Sequence, residues 1–287
     1  TGDGGTSGAA PPGIGDRWLV KNLFELKNAR RVVVESNLFE NNWAHGQVGY
    51  AILFTPRNQD GTCTWCVVED VTFHANVVRN VAGGVNILGY DDLAPSRQTA
   101  GIRLSDNLFI LDKSLGGTAW FVLITEGPRD IIIDHNTIDA NGSAIVYVAG
   151  GTPTSPKQVT GFQFTNNAAR HNNYGINGTD VGYGNAILHH FFPDAAFSRN
   201  WLQGGSASRY PADNFFDGTY AGAFIDAAGR ANLHWTGRRY HRAVRVPPAL
   251  ASEIARTTVL AHVTWAEARR SGRFADFAPT LARLVAL

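Results

Sequence analysis

A six-residue word returns six times along this chain, and it restricts the possible folds more than any other feature. The word reads apolar, any, apolar, any, any, Asn. It appears as VVVESN at Asn37, VTFHAN at Asn76, IRLSDN at Asn107, IIIDHN at Asn136, FQFTNN at Asn167 and, in weaker form, AAFSRN at Asn200. The copies lie about thirty residues apart with one longer interval, which is a period of repeat architectures. Each copy is short, rich in β-branched residues and without an apolar stripe at 3.6 spacing, so helical repeats are excluded; the Leu pattern of leucine-rich repeats is missing. After each Asn comes a second short extended piece, such as Leu38-Phe39 or Thr137-Ile138. A turn and a third strand follow, as in Ala144 to Val148.

Asn suits the corner after the first strand on two grounds. It tolerates a left-handed backbone, and its amide can donate to and accept from the Asn one repeat away. The expected fold class is therefore all-β, a parallel β-helix with three short strands per coil and an Asn ladder. Residues 1–17 read as a loose Gly/Pro-rich lead-in, 18–245 as the β-helix, and 246–287 as an α-helical tail whose Leu250, Ile254, Ala261, Trp265 and Ala268 share one stripe. Residues 209–216 and 223–242 are expected to form an irregular closing coil over the last open edge.

With 287 residues and 44% hydrophobic content the chain can bury an ample core, and its net charge of +1 argues against nucleic acid as a partner. No apolar run is long enough to span a membrane. The chain has no Met, and Thr1-Gly2-Asp3 lacks the parts of a signal peptide, so the expectation is an extracellular or cell-surface protein whose leader has been removed.

Three strands per coil with an Asn corner resemble the right-handed parallel β-helix of the pectin-lyase-like superfamily over residues 18–242. KNLFELKNARRVVVESNLFENNW, the NQDG of Asn58 to Gly61, and GGVNILGYDDLAPS are similar to a group of bacterial right-handed β-helix repeat proteins without an assigned activity. The resemblance implies secretion and a polysaccharide partner. In such enzymes, loop carboxylates serve as acid and base for glycoside hydrolysis, or hold Ca²⁺ while Arg or Lys takes a proton from a uronate. The loops leaving the third strand carry the candidates. Asp91, Asp92 and Glu126 are the catalytic carboxylates, with Asp91 and Asp92 as Ca²⁺ ligands. Arg97 and Arg129 are bases or carboxylate clamps. Arg57 and Lys157 bind substrate, and Trp43 stacks a sugar ring. The polygalacturonase pattern of NTD, DD, GHG and RIK is absent apart from the Asp pair. A lyase or hydrolase of an acidic glycan and a non-catalytic carbohydrate-binding scaffold both remain open.

The third strand is expected to turn Ile52, Phe54, Leu88, Val122, Ile124, Val146 and Val148 outward, under loops or the tail, with Asn86 as a polar exception. Cys63 and Cys66 in GTCTWC read as a redox pair, half a zinc site or a small disulfide. Zinc would need two more ligands, such as His45 or His74, and no second pair at metal spacing is present. The tail word LASEIARTTVLAHVTWAEARRSGRFADFAPTLARLVAL resembles a helical segment of the Taq-type metallocarboxypeptidases. Their HExxH zinc motif occurs nowhere in the chain, so peptidase activity does not carry over. The tail is expected to pack on the β-helix or to support self-association.

Overall fold

The computed structural model describes residues 20–45 and 48–217. The lead-in (1–17), the helical tail (246–287) and most of the expected closing coil lie outside the described residues.

Three parallel sheets of six strands make up the structure, and each passage of the chain contributes one strand to each sheet. Sheet A holds Phe24–Leu26, Ile52–Phe54, Val85–Leu88, Val122–Thr125, Ala144–Ala149 and Gly175–Gly178. Sheet B holds Ala29–Glu35, Val68–His74, Ala100–Ser105, Arg129–Asp134, Gln163–Thr165 and Ala196–Ser198. Sheet C holds Leu38–Asn42, Val77–Val81, Leu108–Leu111, Thr137–Ala140, Ala168–Arg170 and Trp201–Gln203. In every sheet the hydrogen-bonded neighbours come from consecutive coils, a topology consistent with a parallel β-helix.

The repeated word ends strand B and turns the corner into strand C. Its two apolar positions point inward and stack in register: Val34, Phe73, Leu104, Ile133, Phe164 and Phe197 form one column. Sheet C adds Phe39, Val78, Phe109, Ile138, Ala169 and Leu202 from the facing side. Aromatic rings bridge the columns, with Phe39 and Phe73 centroids 5.5 Å apart, within the preferred range for aromatic pairs.

The corner asparagines form a continuous ladder. Asn76, Asn107, Asn136, Asn167 and Asn200 are all buried, and each Oδ1 accepts from both the backbone N–H and the Nδ2 of the Asn one coil earlier, at 2.8–3.2 Å. The remaining Nδ2 hydrogen goes to a strand-B carbonyl of the preceding coil, as from Asn107 to Phe73 at 2.9 Å. Every donor and acceptor of a buried rung is thus satisfied. A further rung, Asn214, lies in RYPADNFF, where the word is unrecognisable; it accepts from Asn200 N–H and Nδ2 at 3.0 Å. With strands about 4.8 Å apart, the rungs from Asn37 to Asn214 span roughly 29 Å.

The left-handed backbone expected of the ladder Asn belongs instead to the residue before it. Ser36, Ala75, Asp106, His135, Asn166, Arg199 and Asp213 all have φ between 55° and 65° or close to it, from 55° at Ala75 to 65° at Asp213. The corner bends one residue early, which leaves each Asn free to aim its amide along the stack.

A second correction concerns sheet A. Ile52, Phe54, Val122, Ile124, Val146 and Val148, expected outside, are fully buried and face the interior. The outward row is Glu25, Leu53, Asn86, Leu123, Tyr147 and Asn177. Leu88 alternates outward with this set but is itself buried. The alternation was assigned one residue out of phase, and with a period of two that exchanges the faces.

The loop after Gly175–Gly178 leads into helix α1 (Asn185–Phe191), which buries Ile187, Leu188 and Phe191. Phe191 carbonyl accepts from Val159 N–H at 2.8 Å, fixing the helix to the coil before it.

Candidate functional site

The charged candidates lie where sheet A hands the chain to sheet B, on loops leaving successive sheet-A strands. Arg57, Asp91 and Asp92 are brought together. Arg57 Nη1 meets Asp91 Oδ1 at 2.9 Å and also bonds Asp92, so a guanidinium already bridges the two carboxylates expected to hold Ca²⁺. The Asp91 side chain is 0% exposed and accepts from Asn58 N–H at 2.5 Å and Leu93 N–H at 3.0 Å. Burial pushes the Asp91 carboxyl up, but those N–H groups and Arg57 outweigh it and hold it below the ordinary carboxylate range. Its oxygens are committed to the protein. Asn58, also buried, completes the clamp: Nδ2 donates to Pro95 carbonyl at 2.6 Å and Oδ1 accepts from Cys63 N–H at 2.6 Å. The sequence assigns Asp91 and Asp92 to catalysis and Ca²⁺ and Arg57 to substrate. Folded, this set staples the loop after Phe54 to the loop after Leu88.

The other candidates do not join it. Arg129 pairs with its neighbour Asp130 at 2.5 Å. Glu126, with φ 56°, sits at a corner where Gly89 and Gly150 stack closely on either side, and it makes no ion pair among the described residues. Lys157 lies one coil on, against Gly127. Arg97 is exposed and lines a separate cleft with Trp65 and Arg30. Trp43 follows Leu38–Asn42 on the turn from sheet C to sheet A, across sheet A from the charged loops. Among the described residues no group of three or more His, Cys, Asp or Glu side chains is placed to hold a metal ion. Cys63 and Cys66 are joined in a disulfide.

Sequence reading missed the outward face of sheet A. Trp120, just before Val122–Thr125, lies parallel to Tyr147, with centroids 4.1 Å apart and planes 7° apart. Trp120 Nε1 donates to Ser143 Oγ at 3.0 Å, which fixes the indole. Beside them Tyr50 is buried and bonded to Thr118 Oγ1 at 3.3 Å; burial pushes its hydroxyl up to about 12, against the pull of Thr118 and with a contribution from Tyr147. Leu123 and Asn86 continue the row. Asn86 Oδ1 is buried with no hydrogen-bond partner among the described residues, a state that costs about 1–3 kcal/mol unless a partner is supplied. The signal in the sequence was the offset of Leu123 and Tyr147 from the buried Val122, Ile124, Val146 and Val148, legible only once the strand phase is right; Trp120 precedes the strand and shares the parity of the buried set, so alternation does not place it.

A family model, that of the Carboxypeptidase Taq (M32) metallopeptidase, matches residues 218–287. The matched stretch begins after the last described residue, Asp217, and covers a minor part of the chain. No curated protein and no solved structure matches the chain. Among the described residues no helix is long and apolar enough to cross a membrane.

Proposed function

We propose that this protein is a carbohydrate-binding scaffold, a right-handed parallel β-helix that lays a glycan chain along the outward face of sheet A. The observation that carries the reading is the stacking of Trp120 on Tyr147, which stands in an outward row with Leu123 and Asn86. A sugar ring has an apolar face that packs on an aromatic platform and a rim of hydroxyls that need partners. Trp120 is held in place before any ligand arrives, so little side-chain entropy is lost on binding. Parallel crossovers within one sheet are right-handed in about 98% of cases, which supports the coil's hand.

The likeness to the pectin-lyase-like superfamily rests on the three-sheet topology and the Asn ladder. The lyase and hydrolase readings have less support, because Asp91 is spent on structure and Asp92 is bound to Arg57. Acid and base must converge on one bond. The Cys63–Cys66 disulfide supports an oxidising, extracellular setting. The M32 match is confined to residues 218–287 and no HExxH occurs in the chain, so the match lends no support to a peptidase reading.

The test is affinity electrophoresis of the full chain against a panel of neutral and uronate polysaccharides, with Trp120→Ala and Tyr147→Ala beside the wild type. The expected result is retardation by at least one polymer, weakened about tenfold by either variant. Binding unchanged in both variants refutes the sheet-A site. Release of unsaturated product or new reducing ends from a uronate polymer replaces the scaffold with an enzyme.

A further inference from the structure

The insertion between Phe54 and Val68 carries a feature that the sheet-A reading leaves unused. Trp65 is 62% exposed, an unusual setting for an indole, and it lies between two cysteines that are bonded to each other. The disulfide closes the loop over a sequence separation of 3, and Cys66 N–H donates back to Cys63 carbonyl at 2.9 Å. The indole is therefore presented on a rigid turn rather than on a loose loop. It forms one wall of an open cleft of about 430 Å³, lined also by Asn28, Ala29, Arg30, Val67 and Arg97. That volume falls within the roughly 300–1,000 Å³ of ordinary ligand sites.

The electrostatics of the cleft have one sign. Its lining contains two arginines and no carboxylate. Arg30 pairs with Glu69 outside the lining, whereas the Arg97 guanidinium makes no ion pair or side-chain hydrogen bond among the described residues. Arg97 is nevertheless held against the disulfide turn, because its backbone N–H donates to Cys66 carbonyl at 2.9 Å. Asn28 adds a directed donor. Its Oδ1 accepts from Val67 N–H at 3.2 Å, which fixes the amide and leaves the NH₂ unused. An aromatic face, an uncommitted guanidinium fork and a fixed amide N–H thus share one small cleft.

The geometry points to a second binding site in this cleft, for a pyranose unit that carries an oxyanion, with Trp65 against the ring and Arg97 on the anion. A carboxylate or a sulfate matches the planar fork, which bonds two oxygens at once. A neutral sugar would leave the guanidinium without a partner, so charge provides the selectivity. The site goes beyond the sheet-A reading and shares no residue with it.

Isothermal titration of the full chain separates the two. The probes are an oligoglucuronate, a sulfated gluco-oligosaccharide and a neutral gluco-oligosaccharide of equal length. The expected result is binding of at least one anionic probe, weakened at least about tenfold by Arg97→Ala and by Trp65→Ala and weakened further by added salt. Which anionic probe binds tells carboxylate from sulfate. Both substituted side chains are exposed, and circular dichroism confirms that the variants fold. The variant Trp120→Ala/Tyr147→Ala is expected to keep this anionic binding, so a failure of the sheet-A site leaves the result readable. The proposal is overturned if neither anionic probe binds, if both cleft variants bind as the wild type does, or if the neutral probe binds equally well and is indifferent to Arg97→Ala.

Discussion

Replacing Asn136 with Ala removes one buried rung, and the cost can be worked out bond by bond. In the native protein Asn136 Oδ1 accepts from Asn107 N–H at 3.1 Å and Asn107 Nδ2 at 2.9 Å, while Asn136 Nδ2 donates to Leu104 carbonyl at 2.9 Å and Asn167 Oδ1 at 3.0 Å. The variant keeps the backbone bonds of residue 136, from its N–H to Asn167 Oδ1 and from Ala168 N–H to its carbonyl, both 2.9 Å in the native protein. Asn107 N–H, one Asn107 Nδ2 hydrogen and Leu104 carbonyl lose their partners in a site with 0% exposure. At about 1–3 kcal/mol for each orphaned group, and with partial relaxation, the expected loss is roughly 3–6 kcal/mol. Asn37→Ala, at the exposed end of the same ladder, is the control. It leaves Asn76 Oδ1 the bond from the residue-37 N–H and orphans no buried donor, so it is expected to cost under about 1 kcal/mol. Urea denaturation followed by tryptophan fluorescence measures both, and hydrogen exchange reads the Asn107 amide directly. Equal midpoints for the two variants, or an Asn107 amide as protected in Asn136→Ala as in the wild type, would refute the ladder as a source of stability.

Acid should weaken the fold in a defined window. Burial tends to raise the Asp134 carboxyl, but hydrogen bonds from His135, Thr165 and Asn166 prevail and bring it down to about 2. Its stabilisation is complete above the ordinary value near 3.8 and is lost as pH falls from there through about 2, a loss that Asp134→Asn removes from the urea midpoint measured against pH. His171 is pushed below 6.5 by burial, against the pull of the Asn172 carbonyl, and its Nε2 lies 2.7 Å from Tyr210 hydroxyl. Stability is therefore expected to decline already as pH drops below 6.5, and His171→Phe should flatten that first step. Arg57→Ala leaves the buried Asp91 carboxylate with only backbone donors; a loss of about 2 kcal/mol and faster proteolysis between residues 55 and 70 are expected, and unchanged cleavage would show that the clamp holds nothing. Gly89→Ala puts a Cβ 2.0 Å from Glu126 carbonyl, so it should lower the thermal midpoint far more than Gly61→Ala, where no atom lies within 4 Å.

The fold was legible because it is written repeatedly. Each copy of the word places two inward side chains and one corner Asn, and an error in one copy is corrected by its neighbours through register. The Asn ladder followed from spacing alone, and even its last rung, Asn214, obeys the rule although the word around it has decayed. Two local features escaped. A left-handed residue before each Asn has no shared identity, being Ser, Ala, Asp, His, Asn, Arg and Asp in turn, so no residue preference marked it. The phase of sheet A escaped because its strands are runs of apolar residues, in which inward Val122 and outward Leu123 look alike without their cross-strand partners.

The site was less legible for a reason that follows from the same architecture. Residues that recur in every coil hold the coils together, whereas anything that recognises a ligand must break the repeat, and each break occurs once. The pairing of Arg57 with Asp91 and Asp92 is such a break, and exposed charges on adjacent loops suggested chemistry; burial of Asp91 and its two backbone donors turn that charge to structure instead. Trp65 and Arg97 are also breaks, separated by more than a full coil in sequence, and only the backbone bond from Arg97 to Cys66 joins them. Trp120 and Tyr147 belong to consecutive coils and meet only when both strands are placed in register. A charge that the fold has already neutralised cannot also grip a ligand without breaking its own loop. On that ground the uncommitted side chains, Arg97 in the cleft and the Trp120–Tyr147 pair on sheet A, are better candidates for recognition than the carboxylates that stand out in the sequence.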